Sequence, residues 1–198
     1  MCIRDCFVTG GTKVEVDDAA VTLTTTPTIA ALNLIAAETT GVVTATLAAD
    51  SLANLAALTT AGTDAITITV NDANAAALTA ANLSTLGGKS AGTVTVTNAV
   101  AIEGTAAEVT AALVTAGTKV EVDDATVTVN DANTTAITAA ELSAIGGATL
   151  GTVTVTNAVA IEGTAAEVTA ALVTAGTKVE VDDAVVTLTT TPTIAALN

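Results

Sequence analysis

Histidine, tryptophan and tyrosine are absent from these 198 residues, and phenylalanine occurs once. Without histidine, the usual general base beside a serine or cysteine nucleophile is missing, which argues against a hydrolase triad. Basic side chains are scarce as well: five Lys and Arg face twenty Asp and Glu, for a net charge of −15. Nucleic acid and anionic membrane surfaces both demand a positive footprint, so neither is an expected partner. Both cysteines, Cys2 and Cys6, sit in the opening MCIRDC beside Arg4, and the remaining chain carries no disulfide or thiolate chemistry. No apolar run approaches the roughly 18–20 residues that span a bilayer, because Thr, Asp or Gly interrupts each one, and no membrane insertion is expected. With aromatics at 1%, a large globular core lacks its usual side chains, whereas thin repeating layers can be filled by Ala, Val, Ile and Leu.

What the chain has in abundance is repetition. The stretch GTVTVTNAVAIEGTAAEVTAALVTAGTKVEVDDA stands at 92–125 and again, letter for letter, at 151–184. Residues 8–33 return at 173–198 with two changes, Gly10 to Ala175 and Ala20 to Val185. A landmark glycine recurs at Gly11, Gly62, Gly117 and Gly176, so the units run 11–61, 62–116 and 117–175, each four residues longer than the one before. The increments of four arise at two places. GTDAITITV (62–70) is four residues shorter than GTKVEVDDATVTV (117–129), and residues 41–63 are four shorter than 92–118. Such length changes are expected in loops on one side of a repeating structure.

Each unit divides into two halves, an alternating segment followed by an Ala-rich one and then glycine. VTLT (21–24), TATL (44–47), ITIT (66–69), VTVT (94–97), VTVN (127–130), VTVT (153–156) and VTLT (186–189) alternate an apolar residue with Thr, the period of a strand with one apolar face. The Ala-rich segments carry helix-start chemistry. Thr105–Glu108, Thr138–Glu141 and Thr164–Glu167 have capping-box spacing, and Ile137 with Leu142 and Leu78 with Leu83 have the spacing of a hydrophobic staple. Pro27 and Pro192 are expected at first helical positions, and Gly87–Gly88, Gly146–Gly147 and Gly117 as helix stops. Helices of two or three turns do not persist alone in water, so they need stacking. The expected fold is therefore an α/β solenoid over residues 8–198. It has a parallel sheet of stacked short strands with short Ala-rich helices on one face, and its partners are neighbouring repeats of the same chain. The alternative is an all-β solenoid, a β-helix, in which the Ala-rich segments are irregular. Residues 1–7 match nothing else and read as an extraneous or disordered start, the other reading being a genuine but unrelated N-terminus. The last unit is incomplete and neither end shows a polar cap, so the chain is expected to be an uncapped fragment of a longer array.

The rhythm of AAELSAIGGATLGTVTV and VAIEGTAAEVTAALVTAGT resembles Ala/Thr-rich tandem repeats of very large secreted bacterial surface or adhesin proteins, cyanobacterial and proteobacterial, of the RTX type. That resemblance covers most of residues 8–198. It implies type I export, an extracellular or cell-surface location, and an adhesive or spacer role. The family's calcium-binding GGxGxD nonapeptide is absent, so the resemblance brings no calcium site with it.

Four sets of side chains are candidates for chemistry. Ser51, Ser84, Ser90 and Ser143 lack a nucleophile-elbow context, and no phosphate loop is present. Glu103, Glu108, Glu162 and Glu167 recur and could pair for acid catalysis, but Glu108 and Glu167 are accounted for by capping. No enzyme and no cofactor are therefore expected. The pairs Asp17–Asp18, Asp123–Asp124 and Asp182–Asp183 are the candidate calcium ligands, since stacked acidic turns could supply several oxygens. Asp is equally an ordinary turn former, and a turn there explains why Val120 and Val122 are out of phase with Val127 and Val129. NDAN at 71–74 and 130–133 reads as loop on the same grounds. The fourth set is threonine. Thr93, Thr95, Thr126, Thr128, Thr152 and Thr154, with counterparts in the other half-units, should align into ladders about 4.8 Å apart. Such a face serves a structural or adhesive segment simply as a solvated β surface. It would also suit a module that binds an ordered lattice such as ice or a polysaccharide.

Overall fold

The computed structural model describes residues 17–118, 120–177 and 179–190. The opening hexapeptide, the first landmark glycine and Pro192 lie outside the described residues.

Every alternating Val/Thr segment becomes a strand, because period-two placement lets Val, Ile or Leu enter the core while Thr stays outside. In chain order the elements are β1 (Val21–Thr22), α1 (Ile29–Glu38), β2 (Val43–Thr46), α2 (Leu52–Leu55), β3 (Ala65–Val70), β4 (Ala77–Thr79), α3 (Ala80–Gly87), β5 (Val94–Val96) and β6 (Ala101–Gly104). They continue as α4 (Ala106–Leu113), β7 (Glu121–Val122), β8 (Thr126–Val129), β9 (Ala136–Thr138), α5 (Ala139–Gly146), β10 (Val153–Val155), β11 (Ala160–Gly163), α6 (Ala165–Leu172), β12 (Val179–Val181) and β13 (Val185–Leu188). The fold is α/β. All pairings between these strands are parallel, in three sheets ordered β1-β2-β3-β5-β7, β4-β6-β8-β10-β12 and β9-β11-β13. The six helices among the described residues overturn the all-β alternative.

Register shows how the sheets arise. Val21 pairs with Val43, Thr44 with Ala65, Ile68 with Val94 and Thr95 with Glu121. Ala77 pairs with Ala101, Ala101 with Thr126, Val127 with Val153 and Val153 with Val179. These strands therefore lie beside segments of the neighbouring half-unit. The pattern also shifts sideways. β8 pairs on one side with β6, which follows β5 in its half-unit, and on the other with β10, which precedes β11 in its own. In consequence β7 closes one sheet and β9 opens another.

The two four-residue length differences have different structural outcomes. In one, Asp50 and Gly104 hold equivalent places beside Val70 and Val129, so three of the four extra residues lie ahead of the helix, in the stretch that contains the bend between β5 and β6, as expected of a loop. The other, aligned on Val70 and Val129, is the segment that holds β7, so it adds a strand rather than a loop. Glu121 and Val122 find open partners in Thr95 and Val96, and hydrogen bonding to that edge makes them extended.

Helix starts follow the local chemistry with two corrections. Thr105 and Glu108, and likewise Thr164 and Glu167, form complete capping boxes. At Thr138 only half the box forms. Its hydroxyl accepts from the Glu141 amide, but the Glu141 carboxylate instead accepts from the Thr110 hydroxyl of α4 at 3.1 Å. Pro27 is not the first helical residue of α1, because Thr28 is the N-cap and its hydroxyl accepts from the Ala31 amide. Leu78, Leu83, Ile137 and Leu142 of the two staples are all buried.

The glycine stops work by space rather than by a left-handed backbone. Gly88 and Gly147 end α3 and α5 with φ of −68° and −77°. A Cβ on Gly87 would come within 2.1 Å of the Thr118 carbonyl oxygen, and one on Gly146 within 2.1 Å of that of Thr177. These helices end where a later segment crosses them. Gly117 has nothing within 4 Å of a would-be Cβ, and α4 has already ended at Leu113, so Gly117 is not its stop.

The core lies between strands and helices. Ile66, Ile68, Val94, Val96, Val127, Val129, Val153 and Val155 are buried on the strand side, and Leu83, Val109, Leu113, Leu142 and Ile145 on the helix side. α3 packs on α4, α4 on α5 and α5 on α6.

Candidate binding face

The Thr partners of the buried Val residues point outward, as alternation requires. Thr93 and Thr126 are exposed, and Thr95, Thr128, Thr152 and Thr154 are half-buried. They do not form one ladder. Thr95 belongs to the first sheet, between Thr69 and Glu121. Thr128 and Thr154 are neighbours in the second sheet, in a row that reads Thr79, Glu103, Thr128, Thr154, Glu180. The third sheet repeats the theme with Thr138, Glu162 and Thr187. Thr126 lies in the adjacent row, beside Ala101.

Thr faces Thr at Thr22–Thr44, Thr46–Thr67, Thr69–Thr95 and Thr128–Thr154, and the exposed carboxylates of Glu103, Glu121, Glu162 and Glu180 stand at other places in the outward rows. The cause is phase. In VEV and AIEG the Glu occupies the outward position that Thr holds in VTV. That signal was present in the sequence, but Ala101 and Gly104 beside Glu103 obscure the alternation.

Recurrent polar residues in the connections link successive half-units. Asp72 accepts the Leu52 amide at the start of α2 at 2.7 Å, and Asp131, buried, accepts the Ala106 amide at the start of α4 at 2.7 Å. Asn98 donates to the carbonyls of Asn71 and Asp72, and Asn157 to those of Asn130 and Asp131. NDAN is thus loop, as expected, with a structural role for its Asp. Buried Ser90 donates to the carbonyls of Asp64 and Ile66 and accepts from the Ile66 and Gly92 amides. Thr149 plays the corresponding part toward Ala125 and Gly151. Ser51 caps α2 by accepting from Asn54, and Ser84 and Ser143 lie within α3 and α5.

The Asp pairs lie on exposed bends at Asp17–Asp18, Asp123–Asp124 and Asp182–Asp183. Among the described residues, no group of three or more Asp, Glu or Cys side chains converges to hold a metal ion. The bend at Asp123–Asp124 separates β7 from β8 and accounts for the change of phase. Asp64, the counterpart of Asp123 in the preceding unit when Val70 is aligned on Val129, turns inward and accepts the amides of Val43 and Ala61.

Two hollows remain. One of about 310 Å³ lies between α2 and α3, floored by Leu52, Leu55, Leu78 and Leu86 and flanked by Asp72 and Lys89. It exists because α2 is a single turn. The other, about 430 Å³, lies beside β7 where the sheets shift, between α4 and α5. No helix among the described residues is long and apolar enough to cross a membrane. No protein-family model matches the chain, and neither a curated protein nor a solved structure does.

Proposed function

We propose that this chain is a non-enzymatic segment of an open-ended α/β solenoid, working as a structural or adhesive spacer in a large bacterial surface protein outside the cell. One observation carries this reading: strands of successive half-units pair in parallel through β1-β2-β3-β5-β7, β4-β6-β8-β10-β12 and β9-β11-β13, so that successive units build one another's core. The secreted repeat proteins that the sequence resembles supply the location. Calcium, in this reading, has no dedicated cage and acts only by relieving charge.

The mixed Thr and Glu rows favour a spacer over a lattice-binding module. A flat array for ice or a polysaccharide needs methyl and hydroxyl spacing held across several strands, whereas the strongly hydrated carboxylates of Glu103, Glu121, Glu162 and Glu180 hold water and break the array where they stand. A spacer needs only solubility there.

Thermal hysteresis, ice recrystallisation and retention on insoluble glycans test the choice. The unmodified chain is expected to be inactive in all three. Thr95→Ser, Thr128→Ser and Thr154→Ser together should change little beyond a loss of strand propensity on a scale spanning about 1 kcal/mol. Activity in the unmodified chain that disappears in the triple variant would establish the binding module instead.

A further inference from the structure

The hollow between α2 and α3 lies where the repeat departs from itself. Residues 74–96 align with 133–155 without a gap, so Asn82 stands at the place of Glu141 and Lys89 at that of Ala148. Helix α2 aligns with α4 through its start. Ser51 and Thr105 are the N-caps, and the amide after each cap donates to Asp72 or Asp131. Ala56 therefore takes the place of Thr110. In the later pair of helices the Thr110 hydroxyl donates to the Glu141 carboxylate and bridges α4 to α5. In the earlier pair Ala56 and Asn82 line the hollow instead, and Ala56 has no hydroxyl to make that bridge.

The three changes act in one direction. A tie between helices is lost at Ala56, a carboxylate is lost at Asn82, and an ammonium is gained at Lys89. Lys13, Lys119 and Lys178 all stand in the recurring GTKVEV, whereas Lys89 belongs to no repeated motif. It is half-buried, and among the described residues its ammonium has no hydrogen-bond or ion-pair partner. The other charge at the hollow, Asp72, belongs to the framework, because Asp131 repeats it and each holds a helix amide.

We propose that this hollow binds a small monocarboxylate with an apolar tail, the carboxylate on Lys89 and the tail on Leu52, Leu55, Leu78 and Leu86. Its volume of about 310 Å³ is at the small end of ligand pockets, and the leucines give it an apolar floor. A lone ammonium offers its donors to one carboxylate. Phosphate and other multiply charged groups want more donors, and they meet the opposing field of a chain at −15. The site stands apart from the spacer role, and failure of that role leaves it intact.

Titration calorimetry on the full chain with octanoate, octanol and octylamine tests the assignment. Octanoate should bind saturably and shift the methyl resonances of the floor leucines, and the other two should bind more weakly. Lys89→Ala and Asn82→Glu install the residues that stand at 148 and 141, so circular dichroism should show both melting no lower than the unmodified chain. Lys89→Ala should weaken octanoate about three- to tenfold and leave octanol unchanged, and Lys89→Arg should keep most of the affinity. Asn82→Glu, which returns the carboxylate, should weaken octanoate by a similar factor. Octanol binding as tightly as octanoate, or octanoate unmoved by Lys89→Ala, would leave only an apolar hollow and overturn the proposal. Tighter binding of octylamine would overturn it too, by assigning recognition to Asp72. So would methyl shifts confined to other residues, or no binding of octanoate at millimolar concentration.

Discussion

A single added methyl group tests the close approaches that end the helices. Gly87→Ala and Gly146→Ala would each press a Cβ onto a backbone carbonyl that has no freedom to retreat. A loss of about 1–3 kcal/mol in urea denaturation is expected for each. Gly117→Ala, with open space around it, should stay within about 0.5 kcal/mol of the original. The caps make a second residue-scale prediction. The Thr105 amide and then its hydroxyl donate to Glu108 and hold its carboxyl below the ordinary value of 4.5, and Thr164 does the same for Glu167. Asp50 is likewise lowered, first by the Asn54 side chain and then by the Ser51 amide. A carboxyl whose pKa is lower folded than unfolded stabilises the fold above its unfolded value, and that contribution fades as pH falls through the folded one. Amide protection at the start of α4 should therefore hold from neutrality down to the ordinary glutamate range and weaken below it. In Glu108→Gln that pH dependence should largely disappear.

At the scale of elements, α4 and α6 form a natural control, since sequence is constant and only burial varies. Val109 is fully buried and Val168 half-buried. Val109→Ala should cost roughly 2–3 kcal/mol, from two lost methyl-sized groups and the cavity they leave. Val168→Ala should cost less than half as much, and hydrogen exchange should show α4 protected more strongly than α6 in the unmodified chain. The same contrast explains what was legible in the sequence. The seven Val/Thr segments all lie in or overlap strands because alternation is a local property of the chain. The capping Thr residues were legible for the same reason. β4, β6, β7, β9, β11 and β12 were not identified as strands, because ALT, AIEG and EV are too short or too Ala- and Gly-rich to show a period. They are held extended by neighbours in the adjoining half-unit. Placement of Thr128 beside Thr154 but apart from Thr95 likewise depends on the sideways shift at β8, which no local pattern announces. The Glu residues in the outward rows were readable, and only the expectation of uniform ladders hid them.

For the whole molecule, the dominant long-range force is repulsion among carboxylates at a net charge of −15. The Asp pairs lie on exposed bends, so divalent ions should act by relieving charge rather than by filling a cage. Calcium is therefore expected to raise the melting temperature modestly. Asp123→Asn, Asp124→Asn, Asp182→Asn and Asp183→Asn together should raise it in chelator while shrinking the gain from calcium. If calcium leaves the melting temperature of the unmodified chain unchanged, the pairs are only turns.

The equal registers of β3 with β5 and of β8 with β10 have a consequence for excision. Ile68 faces Val94 as Val127 faces Val153, and residues 92–125 are identical to 151–184. Deleting residues 92–150 would join Ala91 to Gly151 at a seam whose sequence matches the original Ala91–Gly92 junction through the whole of the repeated stretch. β3 would then meet β10 with every inward and outward side chain where β5 had placed its own. The shortened protein should fold with parallel pairing intact and melt at a lower temperature, having lost layers without acquiring a defect.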